Sequence, residues 1–560
     1  MRAHRFPLNG ACAAFLILSG LSPLLTAQQT RGGPVVAPML EKVEVNLMTL
    51  DVSVTDAGGT PVTGIGPAEF RVEVDGNPLG VTYVDEVRRG SRPAVIPPEQ
   101  LQKDPAAEPP ASRTADAAIP RYLTIFVDSR NTTAGSRNRA LHALRDLVLK
   151  MTGDDQVLLL NFTGDLQIVR PYTTSKEALL SGLSVIEKTD AGGFRRITRA
   201  RSAMDQIGQA RGRGAMSRRA SIANSYSQEI SIENRQLLSS LETSLRDLAG
   251  QPGRRALLYL SDGFETRPGE QISDLAVGRF GSRMDLHPIS IDLQIGELFR
   301  KANGSAISLF SVDASGLDAP SGIDAEFSLP PDIWGNSGIA SKANMTDGMR
   351  LLAEQTGGSA LIDSNDLAGG LGRIYDELTN YYQLGLKLPE GEKIDKYRDV
   401  EVSVPGRKGI RIHARHGYAG QSAEKRIALQ IEAALAAGRP MNDLPVHLDA
   451  RVAKKGGFFS DYEVEVSITI AGSEVTWIPE GDKSSSRLEV YLEAIDDSGQ
   501  RSELELRPWR PVAASAAETA KPLRFDARLK IRKGNQRILA AVRDSISEKV
   551  GAVEYPMRVE

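Results

Sequence analysis

The sequence is almost without cysteine. Its one thiol, Cys12, lies in an apolar stretch at the N-terminus. Beyond that point there can be no disulfide framework, no thiolate metal ligand and no cysteine nucleophile. Aromatic residues make up only 5% of the chain, too few to suggest the stacking platforms that bind single-stranded nucleic acid. The formal net charge of -3 removes bulk attraction to polyanions. There is no His-Glu-x-x-His helix, no Gly-x-Ser-x-Gly elbow and no phosphate-cradling loop ending in Lys-Ser or Lys-Thr. After the N-terminal segment, no apolar run is long enough to span a bilayer.

The N-terminus itself reads as an export signal over residues 1–27. Arg2 and Arg5 precede the apolar core ACAAFLILSGLSPLL, and LTA ends at Ala27 as a small-residue cleavage site. Cleavage there leaves Gln28 first and no membrane span. From 40 to 88 the pattern alternates apolar and polar with period 2, and DAGG and DGNP mark turns, so a small β unit is expected. A linker rich in Pro and Ala follows over residues 89–120.

From Arg121 to residue 380, continuous apolar runs alternate with helical spacing. YLTIFVD, QVLLLNF, RALLYLSDG and AISLFSVD read as buried parallel strands. SRNRALHALRDLVLKM, SKEALLSGLSVIEK, NRQLLSSLETSLRDLAG and DLAGGLGRIYDELTN read as helices. The fold class is therefore α/β, with a doubly wound, mostly parallel, Rossmann-like sheet. Strands return over residues 381–420, and the sequence suggests that they complete the first β unit, since each part alone is short for a stable sandwich. A helix over 425–439 leads to a C-terminal β-sandwich over 444–558.

In open α/β sheets, ligands bind outside the carboxyl ends of the strands. Asp128 ends one strand in FVDSRNTT and Asp262 ends another in YLSDGFE. Asp313, at the end of LFSVD, is a further edge acid, though aspartates at strand ends are also common turn formers. Two carboxylates at one sheet edge suit a hard cation.

These stretches together resemble a von Willebrand factor type A domain. With the leading VTDAGGTPVTGIGPAEFRVEVDG and the trailing YYQLGLKL to IRIHARHGY, residues 43 to 418 resemble the VWFA-related family found mainly in Acidobacteria. The resemblance implies a metal-ion-dependent adhesion site, in which Asp-x-Ser-x-Ser, a Thr and an Asp hold Mg²⁺, Ca²⁺ or Mn²⁺. Asp128 and Asp262 match the two aspartates, and Thr132 matches the second Ser. Arg130 replaces the first Ser, and Phe194 stands where the Thr belongs. The expectation is a degenerate site in which Arg130 pairs with Asp128 and Asp262 in place of a metal.

The stretch from Phe194 to Ala220 holds eight Arg and one acidic residue, Asp205. It reads either as a solvated, mobile insertion or as a basic lid, with Arg195, Arg196 and Arg199 beside Arg130 as candidate contacts for an acidic protein partner. Nucleic acid is not expected of an exported chain with a single aromatic residue, Phe194, in that stretch. The leading expectation is a non-enzymatic, adhesion-type interaction protein, exported to the periplasm, the outer surface or the medium. The alternatives are a metal-assisted hydrolase using Asp128 and Asp262, and a purely structural envelope protein.

Overall fold

The computed structural model describes residues 47–88, 119–277, 289–317, 337–388, 396–420, 427–431, 433, 441–454, 462–480, 482–496, 502, 504–547 and 549–559. The export signal, nearly all of the 89–120 linker and much of the 425–439 helix lie outside these residues. Residues 427–431 are helical.

Two four-stranded sheets form the first β body. Strands β1 (Leu47–Asp56), β2 (Arg71–Val74), β3 (Asn77–Leu79) and β4 (Val81–Val87) precede the α/β region. Strands β11 (Tyr381–Lys387), β12 (Tyr397–Ser403), β13 (Ile410–Ala414) and β14 (Gly417–Ala419) follow it. The sheet orders are β13-β1-β11-β4 and β14-β12-β2-β3, so each sheet mixes strands from both sides. Alternate residues of β1, Met48, Leu50, Val52 and Val54, are buried with Val72, Leu384, Leu386 and Val400. Burying each such side chain stabilises the fold by about 1.5–3 kcal/mol. The α/β region is an insertion between β4 and β11.

That insertion is built on a six-stranded sheet. Its strands are β5 (Arg121–Asp128), β6 (Asp155–Phe162), β7 (Leu166–Thr173), β8 (Arg254–Ser261), β9 (Ile307–Asp313) and β10 (Ala360–Leu361), in the order β10-β9-β8-β5-β6-β7. All neighbours pair parallel except β7, which returns antiparallel from β6 at the edge. Strand β5 is buried along its whole length because helices cover both faces. Leu123, Ile125 and Val127 pack under α1 (Ala134–Lys150), α2 (Lys176–Glu187) and a late helix, Leu367–Thr379. Tyr122 and Phe126 pack on the other face, against α4 (Ala215–Ala249) and the helices Asp292–Gly304 and Ser337–Gln355.

The Arg-rich stretch is not a mobile insertion. It forms α3 (Gly193–Gln209) and the start of α4, which begins 19 residues before the helix expected at Asn234. Gly212 and Gly214, at φ 78° and 76°, turn the chain between them. Ala203 and Ile207 of α3 lock against Ala223, Tyr226 and Ile230 of α4, with Ile272 and Ala276 beneath. The stretch folds because its apolar residues keep helical spacing among the arginines.

In the C-terminal body, a sheet ordered Val446–Lys454, Tyr462–Ile470, Leu523–Ile531 faces a four-stranded one. The second sheet runs Glu505–Trp509, Leu488–Asp496, Gly534–Asp544, Val550–Val559. Val464, Val466 and Ile468 meet Val490, Leu492, Ile538 and Ala540 in the core. No helix among the described residues is long and apolar enough to cross a membrane.

Candidate functional site at the carboxyl edge of the sheet

Strand order reverses between β5 and β8, and Asp128 and Asp262 follow from the carboxyl ends of these two strands. This is the topological switch point, where a crevice opens because successive connections leave in opposite directions. Three loops meet there: residues 129–133 after β5, 188–192 before α3, and 262–269 after β8.

Glycines join the first two loops. Gly192 N–H donates to the Ser129 carbonyl at 2.8 Å and Gly193 N–H to the Thr132 carbonyl at 2.9 Å. A Cβ on Gly192 would lie 2.3 Å from the Arg130 carbonyl oxygen, and one on Gly193 would lie 2.5 Å from the Thr132 carbonyl carbon. Arg137, 1% exposed, ties the same loops from below. It donates to the carbonyls of Thr189 at 2.9 Å and Glu187 at 3.0 Å. Burial pushes its pKa down.

Asp128 is fully buried, and both of its oxygens are occupied. Oδ1 accepts the Asn131 N–H at 3.0 Å. Oδ2 accepts Asn131 Nδ2 at 2.8 Å, the Tyr259 hydroxyl at 2.8 Å and the Ser261 hydroxyl at 2.9 Å. Burial raises its pKa, against the downward pull of these donors. Asp262 is different. Its Oδ2 accepts the Thr133 N–H at 2.9 Å, while Oδ1 is buried with no hydrogen-bond partner. Burial pushes the Asp262 carboxyl up to about 6; Thr133 and Arg196 draw it down, and Asp313 pushes it further up.

The expected arginine arrangement is corrected here. Arg130 does not enter between the aspartates. Its Nη2 donates to Glu233 on α4 at 2.7 Å. Glu233 also takes Arg199 at 2.8 Å. The Asp128 oxygens are engaged by neutral donors, and Arg130 pairs with Glu233 instead. The positive charge beside Asp262 is instead that of Arg196, whose Nη1 reaches the Gly263 carbonyl at 3.4 Å. Arg195 projects outward, its side chain 72% exposed, with the still more open Asp190 at 4.0 Å.

Nor do the residues present fit a divalent cation. Asp128 Oδ2 is taken by three donors and Oδ1 by the Asn131 N–H. Thr132, matched to a ligand hydroxyl, is buried and donates to the Asp128 backbone carbonyl at 2.8 Å. Phe194 stands at the Thr position and is 69% exposed. Asp313 holds Ser315 through Oδ1, and Lys342 Nζ stands 3.5 Å from its Oδ2. Among the described residues, no cluster of three or more His, Cys, Asp or Glu could hold a metal ion.

Asn131, Tyr259, Ser261 and Arg137 were not singled out from the sequence. A small cleft of about 160 Å³ remains above the loops, bounded by Arg130, Asp190, Arg195, Arg196, Arg199 and Glu233. Two of its arginines are spent on Glu233 and Arg196 turns to the Gly263 carbonyl, which leaves Arg195 to face an incoming group.

No protein-family model matches the chain, and no curated protein matches it. Several solved structures resemble parts of it. An aerotolerance-related membrane protein from Bacteroides fragilis is 12% identical, with a TM-score of 0.22 over 46% of this chain and 98% of its own. The conserved hypothetical protein BatB from Bacteroides thetaiotaomicron is 14% identical, with a TM-score of 0.21 over 46% and 98%. The PilB minor pilin from Streptococcus sanguinis is 11% identical, with a TM-score of 0.24 over 48% and 64%. Likenesses at these scores carry no functional weight.

Proposed function

We propose that this is an exported, non-enzymatic interaction protein of the bacterial envelope, of the type A domain kind, whose α/β insertion presents its carboxyl edge to an acidic protein partner without a metal. The observation that carries this reading is the Asp128 carboxylate. Its two oxygens accept four hydrogen bonds from Asn131, Tyr259 and Ser261, which supports a part in tying the first loop to β8 over one in acid–base or metal chemistry. Recognition then falls to the arginines at the cleft. An exposed guanidinium pairs with a carboxylate bidentately, which gives geometry as well as charge. Such contacts weaken as salt rises.

A fluorescent Glu-rich peptide is the probe that tests this. Its anisotropy titration against the protein should saturate equally with and without chelator. Affinity should fall with added salt, and Arg195→Ala should weaken it by about tenfold, as expected for loss of a charge pair of roughly 1.4 kcal/mol. Binding abolished by chelator, or unchanged in the Arg195 variant, would count against the proposal.

A further inference from the structure

We infer that this sheet edge carries its own cation: Arg196 of α3, seated on the loop after β8 beside Asp262, takes the place a bound ion would have, while the Tyr259 hydroxyl caps Asp128. The inference does not depend on the identity of any partner.

The geometry behind it is of several kinds. First, the two edge aspartates are treated unequally. Asp128 is satisfied by four neutral contacts, from the Asn131 N–H, the Asn131 amide, the Tyr259 hydroxyl and the Ser261 hydroxyl. Asp262 accepts the Thr133 N–H, with the Ser136 hydroxyl also drawing its carboxyl down, and its Oδ1 lacks a hydrogen-bond partner at 8% residue exposure. A buried carboxylate left so open calls for a counter-charge.

Second, the counter-charge is in place. Arg196 Nη1 reaches the carbonyl of Gly263, the next residue, at 3.4 Å. Its charge draws down Asp262 and also Glu265, both of which burial pushes up. Gly269 N–H and the Tyr226 hydroxyl complete the surroundings of Glu265, at 2.6 and 3.5 Å.

Third, Arg196 is held by a rigid frame. It lies in the first turn of α3, whose start is sewn to the first loop by the Gly192 and Gly193 N–H groups at contacts that exclude a Cβ. The far end of the helix is locked through Ala203 and Ile207. A guanidinium on such a frame loses little entropy on pairing.

Removing Arg196 should therefore leave Asp262 and Glu265, three residues apart on the loop after β8, each buried without that positive charge, a state that a divalent cation can relieve. The experiment is thermal unfolding of the full chain with Mn²⁺ as probe, against a chelator control, for the parent and Arg196→Ala, Arg196→Lys and Tyr259→Phe. The expected result has three parts. The parent, the Lys variant and the Tyr259 variant should show no Mn²⁺-dependent shift. The Ala variant should melt several degrees below the parent, and millimolar Mn²⁺ should raise it by several degrees. A saturable Mn²⁺ shift in the parent overturns the inference, as does an Ala variant that Mn²⁺ does not restore. If Arg196→Ala does not fold, Arg196→Gln keeps the stem and is judged by the same criterion. The acidic-partner reading is tested by peptide binding, so either reading can fail while the other stands.

Discussion

The Tyr259 hydroxyl donates to Asp128 Oδ2 at 2.8 Å, across the boundary between strands β8 and β5. Both residues are fully buried, and Ser261, two positions further along β8, adds a second hydroxyl at 2.9 Å. A buried carboxylate that accepts only neutral donors depends on every one of them. Tyr259→Phe should cost about 2 kcal/mol, the range for stripping one partner from a buried charged acceptor. The measurement is the urea midpoint of the parent, Tyr259→Phe, Asp128→Asn and the double variant. Coupling below about 0.5 kcal/mol between the two sites would show that the contact contributes nothing of its own.

How far the site could be read from sequence follows from where its information lies. Strand β5 announces itself because a parallel strand covered on both faces is apolar throughout, and all eight residues of RYLTIFVD are buried. Its terminal Asp128 is then visible as an edge acid. Strand β7, LQIVRPYT, does not announce itself: it is an edge strand, only partly buried, and Pro171 breaks its pattern. Tyr259 is one more residue of a buried strand until the pairing of β5 with β8 sets Phe126 opposite it. The choice between Arg130 and Arg196 as the inward cation is decided by Glu233, 103 residues beyond Arg130 in the chain. Local spacing puts an arginine at the ligand position, but only the packed fold shows which carboxylate takes it.

Gly192→Ala tests whether the loops before α3 and after β5 are held by backbone contact. The added Cβ would sit 2.3 Å from the Arg130 carbonyl oxygen, and backbone cannot move aside as a side-chain tip does. The cost should be roughly 1–3 kcal/mol, as for overpacking elsewhere. Gly208→Ala on the same helix meets nothing within 4 Å and serves as the control. Equal melting temperatures for the two variants would remove this contact from the account.

Asp262 should make stability fall as pH rises through the mildly acidic range. Burial is the chief cause that lifts its folded pKa to about 6, from the ordinary 3.8. A carboxyl raised in the folded state favours folding while protonated. Its contribution is whole below the unfolded value and is lost as pH climbs through about 6. The amount is about 3 kcal/mol. Asp262→Asn cannot ionise, so its stability should be flatter between pH 4 and 7 than the parent's, in urea titrations at about half-unit steps. Parallel curves for parent and variant would refute the assignment.

Where the α/β insertion meets the first β body, charge works with the opposite sign. Arg254, the first residue of β8, donates to Asp51 of β1 at 2.6 Å, and its guanidinium lies 4.7 Å from the centre of the Tyr381 ring. The Arg254 side chain is 3% exposed and that of Asp51 21%. Burial raises the Asp51 pKa, but Arg254, Arg415 and Gln383 together outweigh it and hold the carboxyl below its usual value. The stabilisation from Asp51 is therefore present at neutral pH and is lost as pH falls through that depressed value. Arg254→Ala breaks a buried pair and leaves Asp51 short of its nearest cation, at a cost of about 3 kcal/mol. Asp51→Asn with Arg254→Met replaces both charges by neutral groups of similar size and should recover much of that loss. The reading is checked by urea midpoints at pH 7 and pH 4: the single Arg254 variant should show its deficit mainly at pH 7, because at pH 4 the Asp51 carboxyl, left buried in that variant without its nearest cation, takes up a proton while the parent's stays ionised. A deficit equal at both pH values would mean that Arg254 acts by packing on Tyr381, not by pairing with Asp51.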